Sequence, residues 1–153
     1  MPKNRSYAAL LLFVLIVFGV SWFGAQFAPG EWYAHLEKPG WTPPNWVFPV
    51  AWSILYLMIA IAGWLIFSGS SSTLKMLWVI QLVLNGLWSW IFFGMHQTGL
   101  GLIDILAMFA CIAALVVISR RHSRAVAWLM GPYLAWIGYA TSLNAAIFLL
   151  NPA

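Results

Sequence analysis

Five long apolar runs, separated by short polar segments, dominate the hydropathy pattern of the chain. Their interiors contain no Lys or Arg, and each has close to the roughly 20 residues that a helix needs to cross a bilayer. Because lipid offers the backbone no hydrogen-bond partners, such runs must be helical. The pattern therefore predicts an all-α integral membrane protein, with five transmembrane helices forming a single membrane domain over residues 1–153. The approximate spans are residues 7–27, 47–67, 74–93, 100–119 and 125–150.

The first apolar run follows Lys3 and Arg5, which is also how a secretory signal peptide begins. Its apolar stretch exceeds the roughly 7–15 residues of a signal-peptide core, and Phe23, Gly24 and Ala25 make a poor cleavage site. We therefore expect a retained first helix.

The longest connection between spans, residues 28–46, is rich in proline. It contains Pro29, Pro39, Pro43 and Pro44. Proline fixes its own backbone angle and favours extended structure, so this first loop is predicted to follow a stiff, extended path.

Composition narrows the class of protein further. Of the 153 residues, 63% are hydrophobic and only 7% are charged. Soluble domains carry roughly 25% charged residues, so a soluble globular enzyme is excluded. A disordered chain is excluded as well, because disorder requires low hydrophobicity and high charge.

The basic residues fall almost wholly on one side of the predicted membrane. With five spans, the N-terminus and the second and fourth connections share a side that carries six cations, against one on the other side. The positive-inside rule predicts a cytoplasmic N-terminus, with the C-terminus and the first loop outside. Because the basic residues lie at span ends and set the orientation in the membrane, the net positive charge gives no reason to expect a nucleic-acid partner. The six cations are Lys3, Arg5, Lys75, Arg120, Arg121 and Arg124, and the single one is Lys38.

Four polar side chains interrupt the spans in the half of the membrane that the first loop covers: Asn85, Ser89, Asp104 and Asn144. Polar groups inside a membrane are costly, so they are candidates for a functional site. Alternatives stay open. The two asparagines also suit hydrogen bonds between helices, and Asp104 suits a hydrated position or a cap near its helix start. The asymmetry predicts a pocket that opens outward rather than a pore.

Aromatic residues follow the same outer faces at helical spacing. Phe48, Trp52 and Tyr56 recur every four residues, Trp88 shares a face with the first polar pair, and Trp136 lies deep in the fifth span. Deep tryptophans beside small residues suit a cavity for a flat, mostly apolar ligand. The other tryptophans are expected at membrane interfaces, where this residue is common. They include Trp22, Trp32, Trp64, Trp78 and Trp128.

Several chemistries lack the residues that they need. The single cysteine, Cys111, excludes a disulfide within the chain and a cysteine-based metal cluster. His35, His96 and His122 lie in loops or at span ends, so neither a transmembrane haem nor a metal site is expected. No phosphate-binding loop or Ser/His/Asp arrangement is apparent, so we predict no conventional catalytic residue and no required cofactor.

The first loop and the later spans carry motifs that resemble the TspO/MBR family of tryptophan-rich sensory and translocator proteins. The most specific are Trp-x-Pro-Pro at residues 41–44 and Leu-Asn at residues 84–85 and 143–144. The resemblance extends over nearly the whole chain. Further matches are Glu31-Trp32-Tyr33, Leu36-Glu37-Lys38-Pro39, Phe48-Pro49, Trp52, Gln81, Trp88-Ser89, Phe92-Phe93-Gly94, Asp104, Pro132-Tyr133, Trp136 and Ala140.

The resemblance implies a five-helix protein of a bacterial cell membrane, usually a homodimer, with one pocket per subunit beneath the first loop. Because family members bind porphyrins such as protoporphyrin IX, it implies a porphyrin receptor or carrier with a transport or stress-signalling role. Asp104, Asn144 and Lys38 are expected to give polar support. Matched by motif, the pocket residues are Tyr33, Trp41, Trp52, Tyr56, Asn85, Trp88, Ser89, Trp136, Ala140 and Leu143.

Two other functions stay open. Some bacterial members of the family are reported to degrade porphyrin in light, which would give Trp52 and Trp136 a chemical role. A small ion-coupled transporter would instead use Asp104. The animal cholesterol motif needs a basic residue late in the fifth span, and none follows Arg124 here.

Overall fold

The computed structural model describes residues 6–152, which are helical over most of their length and contain no strand. Five of the helices are long and apolar enough to span a membrane, which confirms the predicted all-α membrane fold. The five spanning segments, of which the third is Ser72–Gly94, begin and end within three residues of the predicted spans. The helices are α1 (Tyr7–Ala25), α2 (Gly30–His35), α3 (Val47–Phe67), α4 (Ser72–Ser89), α5 (Thr98–His122) and α6 (Arg124–Leu150).

The short connections are closed by local hydrogen bonds. The Ser71 hydroxyl accepts a bond of 3.4 Å from the Leu74 amide and so caps the start of α4. Ser123 is a single extended residue between α5 and α6, and its hydroxyl faces the Val126 amide at 3.5 Å. Tight joints of this kind make successive helices antiparallel neighbours.

The core lies where α3, α4, α5 and α6 meet, and α1 packs on its side against α3 and α4. Large apolar side chains fill this core, while α1 contributes only Val17 as a fully buried residue. The outward surface of the bundle is largely apolar as well, as expected of helices that face lipid. The wholly buried core side chains include Ile59, Ile66, Leu74, Met108, Ile112, Leu115 and Met130.

Trp78 is a core residue, so its predicted place at a membrane interface is wrong. Its ring lies against Gly63 of α3, where a Cβ atom would collide with it. Its indole N–H donates to the Ile59 carbonyl at 3.0 Å. A bulky ring fits between α3 and α4 because residue 63 has no side chain.

Helix α4 ends in a π-helical turn, Trp90–Gly94, which carries Phe92 and Phe93. The Met95 amide donates to the Trp90 carbonyl at 2.8 Å, a bond that spans five residues instead of four. Phe27, at the end of α1, packs so closely on Gly94 that a Cβ there would lie 2.8 Å from its ring. The turn therefore brings the ends of α1 and α4 together.

The first loop is only partly extended, so the predicted path is wrong for residues 30–35, which form α2. Gly30 has a positive φ of 60°, a conformation that favours glycine, and it lets the chain turn from α1 into α2. Beyond α2, a turn is closed by the Thr42 amide and hydroxyl, which donate to the Pro39 carbonyl at 3.1 and 2.8 Å. The loop folds back over the end of the bundle instead of extending away from it.

Candidate ligand-binding cavity

A cavity of about 550 Å³ lies at the end of the bundle that the first loop covers. All five long helices contribute to its wall, and the start of the first loop contributes Ala28, Pro29 and Tyr33. No Lys, Arg, Asp or Glu lines it among the described residues. Its volume falls in the range of roughly 300–1,000 Å³ that is typical of small-molecule sites.

Nine of the ten pocket residues expected from the resemblance line this cavity. Asn144 lines it as well, while Asp104 and Lys38 do not. The nine are Tyr33, Trp52, Tyr56, Asn85, Trp88, Ser89, Trp136, Ala140 and Leu143.

Trp41 is the tenth residue, and it lies outside the cavity wall with 54% of its surface exposed. Its carbonyl accepts a hydrogen bond of 2.5 Å from the Tyr139 hydroxyl of α6. The turn at Pro39 and this bond together fix the path of the loop, and they leave the Trp41 indole outside the wall.

Lys38 lies at the rim of the cavity. Its ammonium group is 4.5 Å from the centre of the Tyr33 ring, which lines the wall, and it donates to the Leu36 carbonyl at 3.2 Å. The cation is thus held beside a wall residue by a cation–π contact and a backbone bond.

Aromatic rings form most of the wall between α3 and α6. Trp52 stacks on Tyr56 with ring centres 5.2 Å apart. Trp136 packs edge-on against the Trp52 ring, with ring centres 6.3 Å apart. Phe48 packs against the other side of Trp136 at 6.0 Å. On α4, Trp88 stacks on Phe92 at 4.9 Å. These rings give the cavity flat apolar surfaces in more than one orientation.

A chain of three polar side chains lies on the cavity floor. The Tyr56 hydroxyl donates to Asn85 Oδ1 at 3.0 Å, and Asn85 Nδ2 donates to the Tyr133 hydroxyl at 2.9 Å. The Tyr133 hydroxyl in turn faces Met108 Sδ at 3.5 Å. Asn85 therefore forms hydrogen bonds between helices and also lines the cavity.

Asn144 has the same two roles nearer the mouth. Its Oδ1 accepts the indole N–H of Trp88 at 3.0 Å, and its Nδ2 donates to the Thr98 carbonyl at 2.9 Å. The close approach of α5 depends on Gly101, where a Cβ would lie 3.2 Å from Asn144 Oδ1. One amide thereby connects α4, α5 and α6.

Sequence reasoning omitted Tyr133 from the site, although the motif match included it. The side chain is fully buried beneath the wall and completes the hydrogen-bond chain of Asn85. It lies three residues before Trp136 and seven before Ala140, so it shares their helix face. This helical spacing is the feature of the sequence that could have identified Tyr133 as part of the site.

Two buried polar atoms near the cavity have no hydrogen-bond partner among the described residues. One is Nε1 of Trp136, a donor on a wall residue, and the other is Oδ2 of Asp104. Asp104 is only 7% exposed, and no side-chain bond caps the start of α5, so the interpretation of Asp104 as a helix cap is wrong. Its helix neighbours Ile105 and Met108 line the cavity, so the carboxyl lies directly behind the wall.

Tyr33 is the titratable wall residue that the first loop supplies. Burial raises the pKa of its hydroxyl above the usual value, and the nearby Tyr139 adds to the rise. The phenol therefore stays neutral at physiological pH. No group of three or more His, Cys, Asp or Glu that would hold a metal ion occurs in residues 6–152.

These features define a class: a small five-helix membrane protein with an uncharged aromatic cavity under its first loop. The sequence profile of the TspO/MBR family matches residues 9–150, and the chain belongs to that family. It is 42% identical over 147 residues to the tryptophan-rich protein TspO of Archaeoglobus fulgidus, covering 94% of this chain and 95% of that protein.

Two other relatives, less similar in sequence, match a somewhat smaller part of the chain. Protein CrtK of Rhodobacter capsulatus is 38% identical over 138 residues, which is 84% of each chain. The human translocator protein is 37% identical over 134 residues, covering 82% of this chain and 79% of the human protein. The family resemblance seen in the sequence is confirmed, and the protein is an integral membrane protein.

Proposed function

We propose that this protein is a membrane receptor or carrier that binds porphyrins such as protoporphyrin IX, and related flat apolar ligands, in the cavity. The observation that carries the proposal is the cavity itself: about 550 Å³, without charged wall residues, and faced by Trp52, Trp88 and Trp136. Flat conjugated rings gain from stacking and edge contacts with aromatic side chains. The proposed role includes transport or stress signalling.

The polar groups of the cavity suit the edge of such a ligand. The Trp136 indole N–H is a buried donor without a partner, and a ligand acceptor placed there would remove the cost of leaving it unpaired. Carboxylates would be costly inside an uncharged wall, so they belong at the mouth. Lys38 lies at that rim and supplies a positive charge.

We also propose an orientation and an assembly. The N-terminus lies in the cytoplasm of a bacterial cell, the first loop and the C-terminus lie outside, and two copies form a homodimer in the membrane. Arg120, Arg121 and Arg124 at the α5–α6 joint support this orientation. A reporter fused to Ala153 that is active only in the cytoplasm would refute it.

The test of ligand binding is a titration of the detergent-solubilised protein with protoporphyrin IX, followed by tryptophan fluorescence. We expect saturable quenching that is lost in the Trp52→Phe/Trp136→Phe variant. The matched control is Trp22→Phe/Trp128→Phe, since these tryptophans are 68% and 79% exposed on the outer surface of the bundle. Equal quenching in all three proteins would indicate partitioning into the micelle and would contradict the proposal.

A second candidate function is light-dependent degradation of porphyrin. The observation in its favour is the contact between oxidisable rings: Trp52 meets Trp136 at 6.3 Å and Tyr133 at 6.2 Å. Catalytic turnover to a defined product under light, lost in Trp52→Phe/Trp136→Phe, would support an enzyme. Bleaching of ligand and protein in equal amounts would count against it.

A third candidate is an ion-coupled transporter, favoured only by the buried carboxyl of Asp104, whose Oδ2 has no hydrogen-bond partner among the described residues. Proton-coupled uptake into liposomes that Asp104→Asn abolishes would support it. Uptake that is independent of a proton gradient would remove Asp104 from the mechanism.

A further inference from the structure

The first loop is attached to the bundle by contacts near both of its ends. We define the strap as residues 28–46, which include α2. At its start, Trp32 stacks on His96 of the α4–α5 connection, with ring centres 4.2 Å apart and planes within 7° of parallel. Further along, its backbone is bonded to α6 and to the residue that follows α6.

Asn151, which directly follows α6, pairs with both backbone groups of Glu37. The Glu37 amide donates to Asn151 Oδ1 at 2.9 Å, and Asn151 Nδ2 donates to the Glu37 carbonyl at 2.9 Å. The same Nδ2 also faces the Ile147 carbonyl at 2.8 Å, which fixes the side chain on the last turn of α6. The Asn151 side-chain amide therefore bonds both the N–H and the carbonyl of Glu37, as a neighbouring β-strand would, across 114 positions of sequence.

Few other polar contacts hold the strap down. The Val47 amide donates a local turn bond to the Pro44 carbonyl where the strap enters α3. Among residues 6–152, the other hydrogen bond that joins the strap to a residue distant in sequence runs from the Tyr139 hydroxyl to the Trp41 carbonyl. Two of the three hydrogen bonds that join the strap to residues distant in sequence thus depend on the Asn151 side chain.

The pairing reaches the cavity through adjacent residues. Lys38 directly follows Glu37, and its ammonium group lies 4.5 Å from the centre of the Tyr33 ring. Tyr33 lines the cavity, and its ring also contacts Phe93 at 5.5 Å. The residue that Asn151 holds is thus adjacent to the one whose side chain contacts the wall residue Tyr33.

We propose that Asn151 is a positioning residue for the cavity: by pairing with the Glu37 backbone it holds the strap closed, and it thereby limits the rate at which a ligand enters and leaves. Asn151 lies outside the cavity wall, so it acts on the rates of exchange and leaves the contacts of the bound ligand unchanged. The part of the proposal that concerns porphyrin exchange rests on the proposed function. The part that concerns how easily a small molecule reaches the empty cavity is independent of that function.

The first experiment needs no ligand. In a Cys111→Ser background, Ala140→Cys places a single thiol on the cavity wall, and its rate of reaction with a water-soluble maleimide reports how often the strap opens. We expect Asn151→Leu to increase this rate about tenfold, since it removes two hydrogen bonds of modest net strength. Asn151→Asp keeps the acceptor but loses the donor, so its rate should lie between those of the Asn and Leu proteins.

The matched control is Ser68→Ala, which removes a hydroxyl that donates to the Trp64 carbonyl at the other end of the bundle. Its rate should equal that of the parent. Should Asn151→Leu fail to fold, Asn151→Asp carries the test alone. An unchanged maleimide rate in the folded Asn151 variants would overturn the proposal.

The second experiment measures protoporphyrin IX exchange by stopped-flow fluorescence. We expect Asn151→Leu to raise the association and dissociation rates by a similar factor, with the equilibrium constant within about threefold of the parent value. A merely structural role would instead weaken binding mainly through faster dissociation, and that result would overturn the proposal. If protoporphyrin IX does not bind while maleimide access still rises, the proposed function fails and the role of Asn151 stands.

Discussion

The indole N–H of Trp88 donates a 3.0 Å hydrogen bond to Oδ1 of Asn144, so a wall residue of α4 is fixed by an amide of α6. Replacing Asn144 with Leu should leave this N–H without a partner and remove the bond that Asn144 Nδ2 donates to the Thr98 carbonyl. We expect the free energy of unfolding to fall by about 1–3 kcal/mol, measured by thermal denaturation in detergent. Thr141→Val is the control, because its hydroxyl bonds only within α6, to the Ile137 carbonyl. An equal loss in both variants would contradict a special role for the Trp88 bond.

Tyr133→Phe should leave Asn85 Nδ2 without its acceptor on the cavity floor. We expect a loss of about 1–3 kcal/mol in the free energy of unfolding, because an unpaired buried donor is costly. Asn85→Leu removes the same bond and also leaves the Tyr56 hydroxyl without its acceptor. Because the double variant no longer contains the orphaned amide, its loss should be smaller than the sum of the two single losses. Strictly additive losses in a double-mutant cycle would argue against the bond.

Gly63→Ala should destabilise the α3–α4 contact, because the new methyl group would collide with the Trp78 ring and lie 2.9 Å from Phe13 Cδ1. Overpacking of this kind costs about 1–3 kcal/mol. Gly19→Ala is the matched control, as a Cβ there meets nothing within 4 Å. Its thermal midpoint should equal or exceed that of the parent, and a parallel drop in both variants would point to a general helix effect.

Alkaline titration should reveal the burial of Tyr33. Its pKa in the folded protein is raised above the usual value of about 10, so the unfolded chain ionises first as the pH rises. The stabilisation from this residue is fully present below about pH 10 and is lost at higher pH. Tyr33→Phe should therefore show a shallower decline in thermal midpoint above pH 10 than the parent, with Tyr7→Phe, an exposed tyrosine, as control. Identical alkaline profiles for Tyr33→Phe and the parent would show that the phenol is not buried in solution.

The sequence predicts the five spans closely because the bilayer dictates both their length and their helical form. It also predicts nine residues of the cavity wall. Trp52, Tyr56, Asn85, Trp88 and Trp136 lie on helix faces that regular spacing identifies, and regular helices place those faces where the spacing implies.

The predicted side-chain positions are wrong or incomplete where a contact between residues distant in sequence determines the position. Trp41 lies outside the wall because the Tyr139 hydroxyl holds its carbonyl, and no local pattern shows a bond across 98 positions. Trp78 is buried because residue 63 on another helix lacks a side chain. Tyr133 was overlooked because a tyrosine inside an apolar run resembles a packing residue until its hydroxyl finds an amide.

The π-helical turn at the end of α4 restricts which changes in chain length this protein tolerates. Removing one residue from Trp90–Gly94 would restore α-helical spacing and rotate the residues that follow by about 100° about the axis. Phe93 would then leave the cavity wall, and the Gly94–Phe27 contact would break. Among the described residues, the hydrogen bonds of the Ser-rich connection at residues 68–71 are all local, to residues 64, 66, 74 and 75. Insertions and deletions among natural variants should therefore collect at that connection and be absent from the π-helical turn.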